Sequence, residues 1–302
     1  MRPKRLLLFG EQRTGTSLLQ AVLHAHPAIE VLPPDFDLNL AVNLLGLRPG
    51  QTMTARQAHV LWQRMKRALK KQLPDEPPSP LTSFDGLLAY RMGLATADAQ
   101  VTCMKFHGPF SPVRDLLAGP DFHCLHIVRD VRDVLLSRAY RGEQQLDEWA
   151  LQWRESSARM RALAGHPKLL SVRFEDLVSA PAREFARIFA WLGVADGELP
   201  SPRLDSEGQP LLQNSSFGEL QAFDRRAIAR YREHRGSPLV RYAQWLCRSE
   251  LQQWRYPIEA GLAPSLALRA HFARRRATLA AIRAPRRAKN AITAALLPSL
   301  AD

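Results

Sequence analysis

Arg5-Leu6-Leu7-Leu8-Phe9 runs directly into Gly10-Glu11-Gln12-Arg13-Thr14-Gly15-Thr16-Ser17, and the next apolar residues are Leu18, Leu19, Val22 and Leu23. A short apolar run ending in glycine reads as a buried strand, and the 18/19/22/23 spacing reads as one face of a helix. The turn between them carries two glycines at the spacing of a phosphate-binding loop. Such glycines let the backbone curl so that its N–H groups converge, and the helix N-terminus adds positive potential. The triphosphate version of this loop places a lysine after the second glycine. Here that position is Thr16, and the nearest cation is Arg13, inside the loop. The loop therefore suits an anion that needs less charge than a magnesium-bound triphosphate.

Further apolar runs repeat the opening pattern. Residues 101–105, 123–128 and 169–174 read as strands, and 54–73, 83–98, 133–140, 146–164 and 181–193 as helices. Strands alternating with helices predict a three-layer α/β fold, with a central parallel sheet flanked by helices. Residues 74–80 form a proline-rich connector, 195–216 a loop rich in Pro, Ser and Gly, and everything after 224 reads as helical. We expect one domain over 1–260 and a basic, helical or partly disordered extension over 261–302.

The chain has 302 residues, 46% hydrophobic and 24% charged, which excludes collagenous, disordered and disulfide-scaffold classes. No stretch approaches the ~20 apolar residues that span a bilayer. The run Leu6 to Phe9 is too short for a signal-peptide core, and Cys103, Cys124 and Cys247 have no metal spacing, so a cytoplasmic location is expected. The net charge is +13. Residues 265–302 hold Arg269, Arg274, Arg275, Arg276, Arg283, Arg286, Arg287 and Lys289 against a single acid, Asp302. This tail reads either as a solvated extension or as a basic amphipathic segment lying on an anionic membrane; no nucleic-acid recognition motif accompanies it.

A second anion site is legible at 123–137, where His123-Cys124-Leu125-His126-Ile127-Val128 ends in Arg129-Asp130-Val131-Arg132-Asp133 and Ser137 follows. Asp130 is a candidate N-cap with Asp133 three residues on. Arg129 falls at a strand's carboxyl end, where open α/β sheets bind ligands. A guanidinium plus the Ser137 hydroxyl suits a phosphate monoester. In the alternative reading this is a capping cluster with Arg132 and Arg138 solvated. Trp149 and Trp153 share a helix face as core or acceptor-pocket wall, and His24 and His26 are helix-end residues.

Taken together, residues 10–19 resemble the 5′-phosphosulfate loop of the sulfotransferases, and 127–137 are similar to their 3′-phosphate motif. Ser171-Val172-Arg173-Phe174-Glu175-Asp176-Leu177-Val178, Ala180-Pro181, residues 188–194 and Asn214-Ser215-Ser216-Phe217 extend the resemblance over about residues 1–256. The resemblance implies a P-loop-like fold and transfer of a sulfuryl group from 3′-phosphoadenosine 5′-phosphosulfate, without a metal. The acceptor would be a hydroxyl of a glycan, glycolipid or small molecule. By the same resemblance Arg13, Thr14, Gly15, Thr16 and Ser17 hold the 5′ end, and Arg129 and Ser137 clamp the 3′-phosphate. Phe174, often Tyr in relatives, would stack on the base, with Ser216 and Arg230 completing the site. Lys105-Phe106-His107 matches the Lys-x-His of cytosolic sulfotransferases and implies His107 as base and Lys105 as a second cation. Glu30 and Asp35 are the alternative bases, out of register with the glutamate of the protein-tyrosine enzymes. The rival functions are a nucleoside-triphosphate kinase, disfavoured by the missing loop lysine, and a cofactor-binding protein without chemistry.

Overall fold

The computed structural model describes residues 3–32, 41–42, 46–69, 79–92, 98–107, 112–119, 122–196 and 223–278. Five strands form one parallel sheet: β1 (Lys4–Gly10), β2 (Ile29–Val31), β3 (Val101–His107), β4 (Phe122–Val128) and β5 (Leu169–Arg173), in the order β2-β3-β1-β4-β5. β1 lies between β3 and β4, with Leu8 opposite Lys105 on one side and Leu125 on the other.

Strand alternation divides the core into two layers. Leu7 and Phe9 join Met104, Phe106, Cys124 and Val128 on one face, while Leu6 and Leu8 join Val101, Cys103, Leu125 and Ile127 on the other. Both faces of β1 are buried, which is why it reads as an unbroken apolar run. The second layer is covered by α1 (Thr16–His24) and α8 (Pro181–Leu192). The first is covered by α2 (Ala55–Leu69), α3 (Phe84–Met92), α4 (Val113–Ala118), α6 (Leu146–Ala162), α9 (Pro238–Leu246) and α10 (Arg248–Gln253). α5 (Val131–Ala139) follows β4 and α7 (Phe174–Ser179) follows β5. The family-independent expectation of a three-layer α/β sandwich thus holds.

Some boundaries move. The strand expected to end at 174 stops at Arg173, and Phe174 opens α7 instead. β2, α4 and α7, of three to six residues, are too short to show a period in sequence. The region after 224 is only partly helical: two 3₁₀ turns, Arg225–Ala227 and Arg230–His234, precede α9 and α10, and residues 266–278 form a last helix. The expected loop at 195–216 lies almost wholly outside the described residues.

Chain order gives the site its place. From β1 the chain moves to β2 and β3 on one side, then crosses to β4 on the other. That reversal of strand order puts a switch point beyond the carboxyl ends of β1 and β4, the crevice position where open sheets usually bind ligands.

Candidate functional site

Gly10 ends β1, and a Cβ there would lie 2.6 Å from the Ile127 carbonyl oxygen on β4. Gly15 has φ +100, and a Cβ there would lie 2.5 Å from Phe174 Cδ2. Both glycines are thus required by close packing of the loop on β4 and α7. Between them the chain turns through Arg13, a non-glycine residue with φ 73. Thr14 braces the turn by donating its backbone N–H and its hydroxyl to the Glu11 carbonyl, at 3.2 and 2.6 Å. α1 starts at Thr16, which leaves its first backbone N–H groups without intrahelical partners beyond the carboxyl end of β1.

The second motif meets this loop directly. Arg13 Nε donates to Ser137 Oγ at 3.0 Å, joining residues 124 positions apart. Arg129 Nη1 donates to the Arg13 carbonyl at 3.2 Å and Nη2 to the Ala227 carbonyl at 2.7 Å. A guanidinium has five N–H donors; the buried Arg129 Nε has no hydrogen-bond partner among the described residues. Phe174, expected to stack on a base, is buried and gives one ring face to Arg129, whose guanidinium carbon lies 4.4 Å from its centroid.

Positive charge accumulates here. Burial first, then the like charges of Arg141, Arg129 and Arg138, holds the Arg13 guanidinium down at about 10, with Glu143 partly opposing them. Cations crowded enough to disfavour one another make a site that gains from an incoming anion.

Lys105, on β3, is buried and donates to Gln20 Oε1 at 2.7 Å and Ser17 Oγ at 3.3 Å, so the second cation reaches the start of α1. His107 ends β3 opposite Gly10, at the crevice edge of the sheet; its side chain lies outside the described residues, as do Ser216 and Asp35. Glu30 lies on β2, beyond β3 from the loop. Arg230 opens the 3₁₀ turn after Ala229, with its guanidinium 6.0 Å from the centroid of Tyr140.

The helix-capping expectation needs correction. Asp130 does cap α5, accepting from Arg132 N at 2.9 Å. Asp133 does not close a capping box: its carboxylate accepts from Ala229 N at 2.8 Å and Tyr231 N at 2.9 Å. The Asp130 N–H goes instead to Glu175 Oε1 at 3.0 Å, and Glu175 Oε2 accepts from Tyr256 at 2.9 Å. Arg132 and Arg138 are not solvated. Arg132 binds Asp130, Gln244 and the Pro257 carbonyl, and lies 3.7 Å over Tyr231. Arg138 pairs with Glu143 at 2.6 Å and lies 3.7 Å over Trp149.

Several positioning residues escaped the sequence reading. Trp153 Nε1 donates to the Arg129 carbonyl at 3.0 Å, and Gln152 Nε2 donates to Glu11 Oε2 at 2.7 Å. α6 therefore ties the loop to the second motif. The available signal for Glu11 was a lone glutamate directly after a buried strand, and for Gln20, the Lys105 partner, a glutamine among the apolar positions of α1. His26 is a structural residue: its Nε2 lies 3.0 Å from the Ala195 carbonyl and its Nδ1 accepts from Ala28 N at 3.2 Å.

Comparison with known proteins places the chain in a family. A sequence model described as "Sulfotransferase family" matches residues 5–198. Among curated proteins none matches. Among solved structures, the sulfotransferase domain of the Synechococcus PCC 7002 olefin synthase is similar, with 17% identity over 85% of this chain and 96% of its own, at a TM-score of 0.57. The sulfotransferase domain from the curacin biosynthetic pathway has 16% identity over 86% of this chain and 99% of its own, at 0.50. With the family model spanning well over half its length, the chain belongs to the sulfotransferase family.

Proposed function

We propose that this sulfotransferase transfers a sulfuryl group from 3′-phosphoadenosine 5′-phosphosulfate to a hydroxyl of a glycan, glycolipid or small-molecule acceptor. The observation that carries the reading is the 3.0 Å contact between Arg13 and Ser137, which merges two distant anion motifs into one basic crevice. The buried Arg129 Nε, without a hydrogen-bond partner among the described residues, and the mutually repelling arginines fit a ligand with anions at both ends. When bound, the cofactor supplies the sulfuryl group and a phosphate leaving group.

The chain's own residues divide the remaining work. The loop backbone and the start of α1 bind the 5′ end, while Arg129 and Ser137 bind the 3′-phosphate. Arg13 and Lys105 stabilise negative charge developing on the transferring and leaving oxygens. His107 takes the acceptor's hydroxyl proton.

The test is turnover of the sulfate-labelled cofactor against a panel of hydroxyl acceptors, with chelator present and, in a second arm, ATP with magnesium. We expect labelled product from the sulfate donor in chelator, and a loss of ~10²–10⁴ in rate for His107→Ala. Turnover of ATP alone would reject the reading. Full rate in His107→Ala would move the base to Glu30 or Asp35.

A further inference from the structure

The helix over residues 266–278 rests three of its four arginines against the body of the protein. Arg269, Arg275 and Arg276 are partly buried, and the exposed positions are mainly Leu266, His271, Arg274 and alanines. Phe272 stacks on Tyr242 of α9 with centroids 4.0 Å apart and planes 16° from parallel, and the Arg269 guanidinium lies 4.9 Å from the Trp245 centroid. Residues 279–302, the rest of the basic tail, lie outside the described residues.

Arg275 makes the most consequential contacts. Its Nε lies 3.3 Å from Asp147 Oδ1, and its Nη2 donates to the Gln144 carbonyl. The Asp147 side chain is 1% exposed, and neither carboxylate oxygen has a hydrogen-bond partner among the described residues. A buried carboxylate without hydrogen bonds depends on its countercharge to stay in place. Asp147 sits in the first turn of α6. The same helix carries Trp149 under Arg138, Gln152 on Glu11 and Trp153 on the Arg129 carbonyl. Just before it, residues 141–145 carry Arg141 and Glu143, both of which act electrostatically on Arg13.

We infer that Arg275 is a positioning residue for the cofactor crevice: it pins Asp147 and the Gln144 turn, and thereby holds α6 and residues 141–145 in the register that aligns both anion motifs. The C-terminal helix is then part of the binding apparatus, although it touches neither motif. This rests on the proposed function above, because the crevice must bind the adenosine bisphosphate for its alignment to be read.

The experiment measures the affinity of the full chain for 3′-phosphoadenosine 5′-phosphate by calorimetry, and kcat and KM for the sulfate donor. The variants are Arg275→Ala, Arg275→Lys, Asp147→Asn and the Arg275→Ala/Asp147→Asn double variant, with melting temperature recorded for each. We expect Arg275→Ala to weaken binding and raise the donor's KM by roughly 2- to 30-fold, the span for residues acting through a packed network, with kcat at saturation retained. Arg275→Lys should restore most of the affinity. Removing the buried charge should make the Arg275→Ala effect smaller in the Asp147→Asn background, a non-additivity that simple loss of packing does not produce. Unchanged affinity in Arg275→Ala, or additive effects of the two substitutions, would overturn the inference while leaving the proposed function intact. A wild-type chain that fails to bind the bisphosphate would instead reject the function itself.

Discussion

At the scale of single residues, the crevice is set by positions where no other side chain fits. Gly15 combines φ +100 with Phe174 Cδ2 at 2.5 Å from where a Cβ would stand. Gly15→Ala therefore meets both backbone strain and a clash. Strain of this kind costs roughly 1–3 kcal/mol, so we expect a lower denaturation midpoint and weaker bisphosphate binding. Pairing it with Phe174→Leu should recover only the part owed to the clash, since φ is unchanged; a stability equal to wild type in the single variant would contradict this account of the loop. The glycine spacing, Arg13, Arg129 and Ser137 were visible in the sequence because each belongs to a contiguous stretch with its own chemistry. Glu11, Gln20 and Trp153 were not, since their roles come from partners on other elements.

At the scale of elements, α5 is held by charges that ordinary capping does not explain. The buried carboxylate of Asp133, on the helix itself, receives the backbone N–H groups of Ala229 and Tyr231, and that of Glu175, on α7, receives the Asp130 N–H at the helix start. Burial pushes the Glu175 carboxyl up to about 7; the nearby Asp130 charge adds to this, while the hydrogen bond from Asp130 N opposes it. The folded chain thus holds a proton there that the unfolded chain releases near the ordinary carboxylate range. The stability Glu175 contributes is full below that range and is lost as pH rises through about 7. His126 has the opposite sign: burial holds its imidazole down at about 3, so its contribution is present above the ordinary imidazole range and lost as pH falls. The difference between variants, rather than either curve alone, isolates Glu175. Melting of Glu175→Gln against wild type should shift in the variant's favour as pH rises from about 5 to 8, by at most about 1.4 kcal/mol per unit. A constant difference would contradict the assignment. The capping box expected at Asp130 and Asp133 failed for the same physical reason: a local pattern proposed a partner, and a turn about a hundred residues away outcompeted it.

At the scale of the molecule, the fold was legible because strands buried on both faces write unbroken apolar runs, and their alternation with helices leaves few topologies. The tail was not. Its arginines read as a surface feature, yet Tyr242, Trp245 and Asp147, which receive them, stand on two separate helices. What unifies the molecule is the reversal of strand order between the parallel neighbours β1 and β4, which sets the loop beside Arg129 and makes one crevice from two motifs. The most direct test compares the affinity of wild type and Arg129→Ala for 3′-phosphoadenosine 5′-phosphate and for adenosine 5′-phosphate, which lacks only the 3′ group. A charge-assisted contact contributes ~1.5–3 kcal/mol, so wild type should prefer the bisphosphate by about tenfold or more. Arg129→Ala should lose that preference while still binding both nucleotides through the loop. A variant that keeps the wild-type preference would contradict the single crevice on which the account stands.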